Sequence, residues 1–189
     1  MRELWSWLAG GDLRSDGMAS EVADTVLKNP HLINELMEGL RVPDKVVRGR
    51  TAHALERISR FQPDTLVNHL PKLLQVAQED PVSMVRWHIA MILGNLTIYE
   101  EWVDRITERL LDLLQDDSVF VKSWAIVSLC VLGRKYVEKR EQITQEIMPL
   151  LRDSSTALKT RAEKGVRVLM NDETPFPKGW IKSEHLKGL

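Results

Sequence analysis

Cysteine is all but missing. Cys130 stands alone among 189 residues, which excludes an internal disulfide and a multi-cysteine metal site. Net charge is nearly missing too: 26 basic against 27 acidic side chains give a formal −1, so nothing global directs the chain to nucleic acid or to an anionic surface. No apolar run approaches the ~20 residues that a membrane span requires, and no membrane segment is expected. Phosphate loops are missing as well, because Gly10-Gly11 is not followed by Lys-Ser or Lys-Thr. There is no nucleophile elbow and no evident triad. The histidines, His31, His53, His69, His88 and His185, include no His-x-x-x-His pair on one helix. His53 and His88 fall in different segments, too few for a metal site. No catalytic residue, metal or cofactor is therefore expected. The start, Met1-Arg2-Glu3-Leu4-Trp5, lacks signal-peptide architecture, so a cytoplasmic location is the expectation.

What is present is a repeating pattern, clearest in residues 70–96. Leu70, Leu73, Leu74 and Ala77 fall at i, i+3, i+4, i+7 and form one apolar stripe. Asp80 suits an N-cap and Pro81 the first helical position after it. Val85, Ile89, Leu93 and Leu96 form the stripe of a second helix. Two helices with one stripe each must stack on copies of themselves. The copies recur at about 37 residues when aligned on Arg48, Arg86, Lys122 and Lys159. One column holds Val47, Val85, Val121 and Leu158. Others hold Thr51, Ile89, Ala125 and Ala162; Leu55, Leu93, Leu129 and Val166; and Ile58, Leu96, Leu132 and Leu169. The first helices align through Leu32, Leu70, Ile106 and Ile143, then Leu36, Leu74, Leu110 and Ile147. Pro149 falls inside a first helix and should kink it.

Leu70-Pro71-x-Leu73-Leu74, then Asp80-Pro81, then Val85-Arg86-x-x-x-Ala90-x-x-Leu93-Gly94 resembles the HEAT-repeat family over residues 31–171. The resemblance implies an all-α fold: a right-handed α-solenoid of about four helix pairs, first helices convex and second helices concave. It also implies a ladder between repeats, from the basic residue of each second helix to the turn acids Asp44, Asp80, Asp117 and Asp153. Lysine at two of the four ladder positions cannot make the planar contact of arginine. The paired His-Glu motifs of HEAT-like di-iron hydroxylases are missing.

The expected organisation is an irregular helical cap over residues 1–30 and repeats at 31–61, 69–99, 103–137 and 141–171. An extended tail at 172–189 follows, with Trp180-Ile181 as its apolar anchor. The cap should hold helices at residues 4–8 and 18–27. The second helix of the third repeat is expected over 119–140, because no breaker follows Gly133.

Outward positions on the second helices define a candidate binding ridge of Arg50, His53, Arg57, Trp87, His88, Met91, Asn95, Trp124, Arg134, Arg161 and Lys164. Trp and Arg are the side chains most enriched at binding hot spots. Charge sorts by face: second helices are net basic and first helices net acidic, most densely over residues 100–117. These features point to a non-enzymatic scaffold that binds an acidic or amphipathic segment of a protein partner. The alternative is nucleic-acid binding by the same ridge. A third reading is an alkylpurine-type DNA glycosylase, which resembles this frame, but no Asp falls on the ridge. The oligomeric state stays open.

Overall fold

The computed structural model describes residues 3–189, so Met1 and Arg2 of the amino-terminal motif lie outside the described residues. The chain is 75% helical with no strand among those residues. Two cap helices, α1 (Glu3–Leu8) and α2 (Ala19–Lys28), precede the repeats. The helix pairs follow as α3 (Ile33–Glu38) with α4 (Lys45–Phe61), α6 (Leu70–Glu79) with α7 (Ser83–Asn95), α8 (Val103–Leu113) with α9 (Val119–Lys135), and α10 (Arg140–Ile147) with α11 (Thr156–Met170). A short helix, α5 (Asp64–Val67), bridges the first two pairs.

The repeat columns form the core. All four residues of the Val47 column are buried, as are the Leu55 column through Leu129 and the whole Ile58 column; Val166 and Leu32 are half-buried. Burying one such side chain contributes about 1.5–3 kcal/mol. The stacking therefore rests on many similar increments, each shared with the next repeat. Neighbouring second helices pack on one another far more extensively than neighbouring first helices do. That asymmetry makes the second-helix layer the inner one. Gly94 sets the tightest approach: a Cβ there would lie 2.4 Å from Ser128 Oγ, and that hydroxyl donates to Ala90 O at 2.7 Å. α2 lies against α4, with α1 on both, and closes the amino-terminal end.

Three local features depart from the sequence reading. Asp80 does not cap the first residue of α7. Its carboxylate accepts from Val82 N–H at 2.8 Å in a tight turn, and the helix begins at Ser83. The same turn occurs at Asp44, Asp116 and Asp153, so Asp116, not Asp117, is the turn acid of the third repeat. α9 ends at Lys135, short of the expected 140. Tyr136 leaves helical space with ψ 89°, its hydroxyl donates to Thr97 O at 2.8 Å, and Arg140 Nε donates to Gly133 O at 3.2 Å. These tertiary ties turn the chain where no sequence breaker stands. Pro149 does interrupt its helix: α10 stops at Ile147 and a 3-10 turn follows over Met148–Arg152.

The ladder has two rungs among the described residues. Arg48 Nε donates to Asp80 Oδ2 at 2.8 Å. Arg86 binds Asp116 with two prongs, 2.6 and 3.0 Å. Both rungs use arginine, and no ion pair joins Lys122 or Lys159 to a turn acid among those residues.

Candidate binding groove

The inner face is floored by α4, α7, α9 and α11, and segments of the chain itself lie on it from both ends. At the amino-terminal end residues 9–18 fold over Arg50. Its Nη1 donates to Leu8 O at 2.9 Å, Ala9 O at 3.3 Å and Gly10 O at 2.7 Å; Nε donates to Ser15 O at 3.1 Å and Nη2 to Asp12 O at 3.2 Å. Arg50 is only 3% exposed. The loop wraps this closely because Gly17 has φ +53° and a Cβ there would lie 2.6 Å from Arg50 Cζ. The expected exposure of Arg50 is thus overturned: a planar guanidinium with five N–H donors is the group best suited to satisfy a curl of carbonyls, and that demand buries it.

Arg134 plays the same part at the other end. Its Nη1 donates to Asp172 O at 2.7 Å, Nε to Val168 O at 3.2 Å, and Nη2 to Asn171 O and Thr174 O, while its Cζ lies 5.1 Å from the Phe176 ring centre. From there the tail crosses α11, α9, α7 and α4 in turn. Trp180, Ser183 and Leu186, spaced by three, are its buried residues. Trp180 packs over Gly165 of α11. Lys182 Nζ lies 4.7 Å from the ring centre of Trp124. Ser183 Oγ lies 3.4 Å from Arg60 O, and His185 Nε2 lies 3.2 Å from Phe61 O. Under the tail lie Met91, Asn95, Val127 and Val131 with the wholly buried Glu56. Glu56 is bridged by Arg60 one turn on.

The tail explains why several ridge residues are less accessible than their outward positions suggest. Met91 and Asn95 are buried, Asn95 donating to Ser59 Oγ at 2.8 Å. Arg57 is half-buried and donates to Asp24 of α2 at 3.0 and 3.1 Å. His53 and His88 come together, stacked 4.9 Å apart. His88 is buried, with Nδ1–H donating to Met84 O at 2.8 Å, which leaves Nε2 to accept from Trp87 Nε1–H at 3.3 Å. Burial, with the neighbouring His53 ring, pushes His88 down to about 3. Burial also lowers His53, against the pull of Asp16. Both imidazoles are neutral near pH 7. No group of three or more His, Cys, Asp or Glu gathers as a metal site among the described residues.

What stays open is a strip of aromatic and basic side chains. Trp87 and Trp124 are half-buried, Phe120 is 63% exposed and lies 5.1 Å from the Trp87 ring, and Lys164 is exposed. Arg161 Cζ lies 5.7 Å from the Trp124 ring centre and 5.3 Å from that of Trp180. Arg161 and Lys182 have no ion pair among the described residues, and burial lowers both below their ordinary values. Sequence reasoning missed Phe120, the Glu56–Arg60 pair and the tail's place on the inner face, although it expected a tail anchored at Trp180-Ile181. The signals available were an i,i+4 acid–base spacing and the three-residue recurrence in Trp180-x-x-Ser183-x-x-Leu186.

A model of the family described as HEAT repeats matches residues 33–130. No curated protein matches. Among solved structures, an engineered protein superposes with a TM-score of 0.60 at 19% identity, over 89% of this chain and 80% of that one. A designed armadillo repeat protein does so at 0.58 and 14%, over 89% and 81%. A mutant of Kap121p reaches 0.66 at 20% identity, over 83% of this chain and 17% of that one. Likeness at these identities speaks for the fold alone.

Proposed function

The chain belongs to the HEAT-repeat family, and from that premise we propose that it is a non-enzymatic scaffold whose inner groove grips an amphipathic segment of a partner protein. The observation that carries this reading is the groove's own occupant. The tail, expected to be extended but turned at Pro177–Trp180 and wound into a 3-10 turn over Glu184–Leu186, lies across all four second helices, seated by an aromatic residue, a small hydroxyl and a leucine. A surface that seats one such segment by side-chain contact has the shape and chemistry to seat another. The half-buried aromatics Trp87 and Trp124, with Phe120 beside them, supply the anchor-type side chains that dominate binding energy.

The demand for an acidic segment weakens, because Arg50, Arg57 and Arg134 are engaged within the chain and only Arg161 and Lys164 remain of the ridge's arginines and lysines. The same engagement removes most of the phosphate contacts that a nucleic-acid groove would need. No helix among the described residues is long and apolar enough to cross a membrane, and a cytoplasmic setting is part of the proposal.

The test is affinity capture from the native cell with and without nuclease, using the wild-type chain and Trp124→Ala. A protein partner that survives nuclease and is lost with Trp124→Ala is the expected result. Capture that vanishes on nuclease treatment would overturn the reading.

A further inference from the structure

We infer that the carboxy-terminal tail is a stand-in for the partner, so that the groove's cognate segment carries the tail's own pattern: an aromatic residue, a basic residue two positions on, a small hydroxyl at the third position, and a leucine three further. The inference rests on the protein-binding reading of this groove and adds what the partner looks like and what it competes with. Each position of the pattern answers to a place on the floor. The aromatic position, Trp180, is buried with its ring edge beside Gly165 of α11 and with the Arg161 guanidinium 5.3 Å from its ring centre. The basic position, Lys182, sits over the Trp124 ring at 4.7 Å, within the field of the buried Glu56 carboxylate. A cation on an aromatic face above a buried acid is a complementary arrangement. The small position, Ser183, is fully buried with its hydroxyl 3.4 Å from Arg60 O, so a larger side chain there would have to displace its neighbours. The leucine position, Leu186, is 4% exposed beside the Glu56–Asn95 end of the floor.

The hold on the tail is of a kind that can be exchanged. From Pro175 onward its backbone N–H groups, where bonded, donate only within the tail: Trp180 to Pro177 O, His185 to Ser183 Oγ, Leu186 to Ser183 O, Lys187 to Glu184 O and Leu189 to Leu186 O. No backbone hydrogen bond joins residues 175–189 to a helix among the described residues. The seat is made by three buried side chains, by Phe176 and Lys182 on their partners, and by two side-chain contacts to carbonyls at the end of α4. Arg134 clamps the tail's root through the carbonyls of Asn171, Asp172 and Thr174, and ties it to Val168 O of α11. Residues beyond that clamp can therefore lift while their root stays fixed, and a tethered competitor acts at a high effective concentration.

The experiment uses the full chain and a labelled synthetic peptide of its residues 176–189. Peptide affinity is measured by fluorescence anisotropy for the wild type, for Trp180→Ala/Leu186→Ala, and for that variant with Trp124→Ala added; circular dichroism confirms that all three remain helical. The anchor-less chain is expected to bind the peptide at least about tenfold more tightly than the wild type does, because its own tail no longer competes. Trp124→Ala should remove the gain. A peptide with alanine at the positions of Trp180 and Leu186 should not bind. Equal affinity of the wild type and the anchor-less chain, or equal binding of the alanine peptide, would overturn the inference. Tail exchange between two copies would also overturn it, and would appear as concentration-dependent dimers of the wild type that the double substitution abolishes. If the peptide fails while a captured protein still binds in a Trp124-dependent way, this inference falls and the protein-binding reading stands. If neither binds, the reading falls as well.

Discussion

Replacing Arg50 by alanine is the substitution for which an outward helical position and the three-dimensional structure disagree most. As a free surface residue its loss would shift stability by no more than roughly 0.5 kcal/mol. In the structure its guanidinium donates to five carbonyl oxygens of the amino-terminal loop. Hydrogen bonds from a charged donor contribute about 1.5–3 kcal/mol each, but they do not add when the acceptors can turn to water. Ala9, Gly10, Asp12 and Ser15 belong to exposed residues, whereas Leu8 is wholly buried. Counting the Leu8 contact fully and the others fractionally gives a loss of about 2–4 kcal/mol for Arg50→Ala. Arg50→Lys keeps the charge but not the fork, and should fall between. Urea unfolding reads the difference as a shift of midpoint at constant slope, and limited proteolysis should open residues 9–18 first. Arg57→Ala, whose ion pair with Asp24 is half-exposed, is the control and should stay within about 1 kcal/mol. An Arg50→Ala protein as stable as the Arg57→Ala control would refute the assignment of Arg50 to the loop.

Leu93→Ala and Leu129→Ala should each cost about 2–5 kcal/mol in the same urea assay, as fully buried leucines do. Gly94→Ala should cost about 1–3 kcal/mol, because the new Cβ meets Ser128 Oγ at 2.4 Å and the Ser128 Cα at 3.2 Å. His88 should make stability depend on pH on the acid side of neutral. Its folded value of about 3 lies below the ordinary 6.5, so between these values the unfolded chain binds the extra proton. Stability should then be full above about pH 6.5 and decline by at most about 1.4 kcal/mol per unit below it, and His88→Gln should flatten that decline. At Asp116, burial alone would raise the carboxyl, but Arg86 and the Ser118 N–H more than offset it and hold it below its usual range. The contribution of this pair should be complete above about pH 4 and lost as pH falls below it. Arg86→Ala should remove that acid limb.

The helix stack was legible because its cause is periodic. Leu55, Leu93 and Leu129 recur at one phase of consecutive repeats, and burial follows from that phase alone. What lies across the stack is not periodic in the same way. Arg50 and Arg134 occupy outward positions, and nothing in helical phase tells whether an outward arginine meets water or the carbonyls of a returning segment. The glycines at 10, 11 and 17, all with positive φ, and the spacing of Trp180, Ser183 and Leu186 were the traces of those segments. Each is weak without the surface it covers. Asp116 and Asp117 are adjacent acids that an alignment on a basic residue cannot separate. Turn geometry does, since only Asp116 accepts the N–H two residues on. Trp124 could be read from sequence as either a filler or an anchor. In the structure it is half-buried against the core, with Arg161 of the next repeat and Lys182 of the tail on its ring.

The most direct test of the groove as the protein-binding site is calorimetry of a captured partner's binding segment against the wild-type chain, Trp124→Ala and Phe120→Ala, each at low and high salt. Trp124→Ala is predicted to weaken binding by at least about 2 kcal/mol, as loss of a central anchor does, and the loss should persist at high salt because apolar contact is not screened. Phe120→Ala should weaken it in the same salt-independent way but less, as a residue at the rim. Unchanged affinity in both variants, at both salt concentrations, would contradict the account and move the site off the inner face.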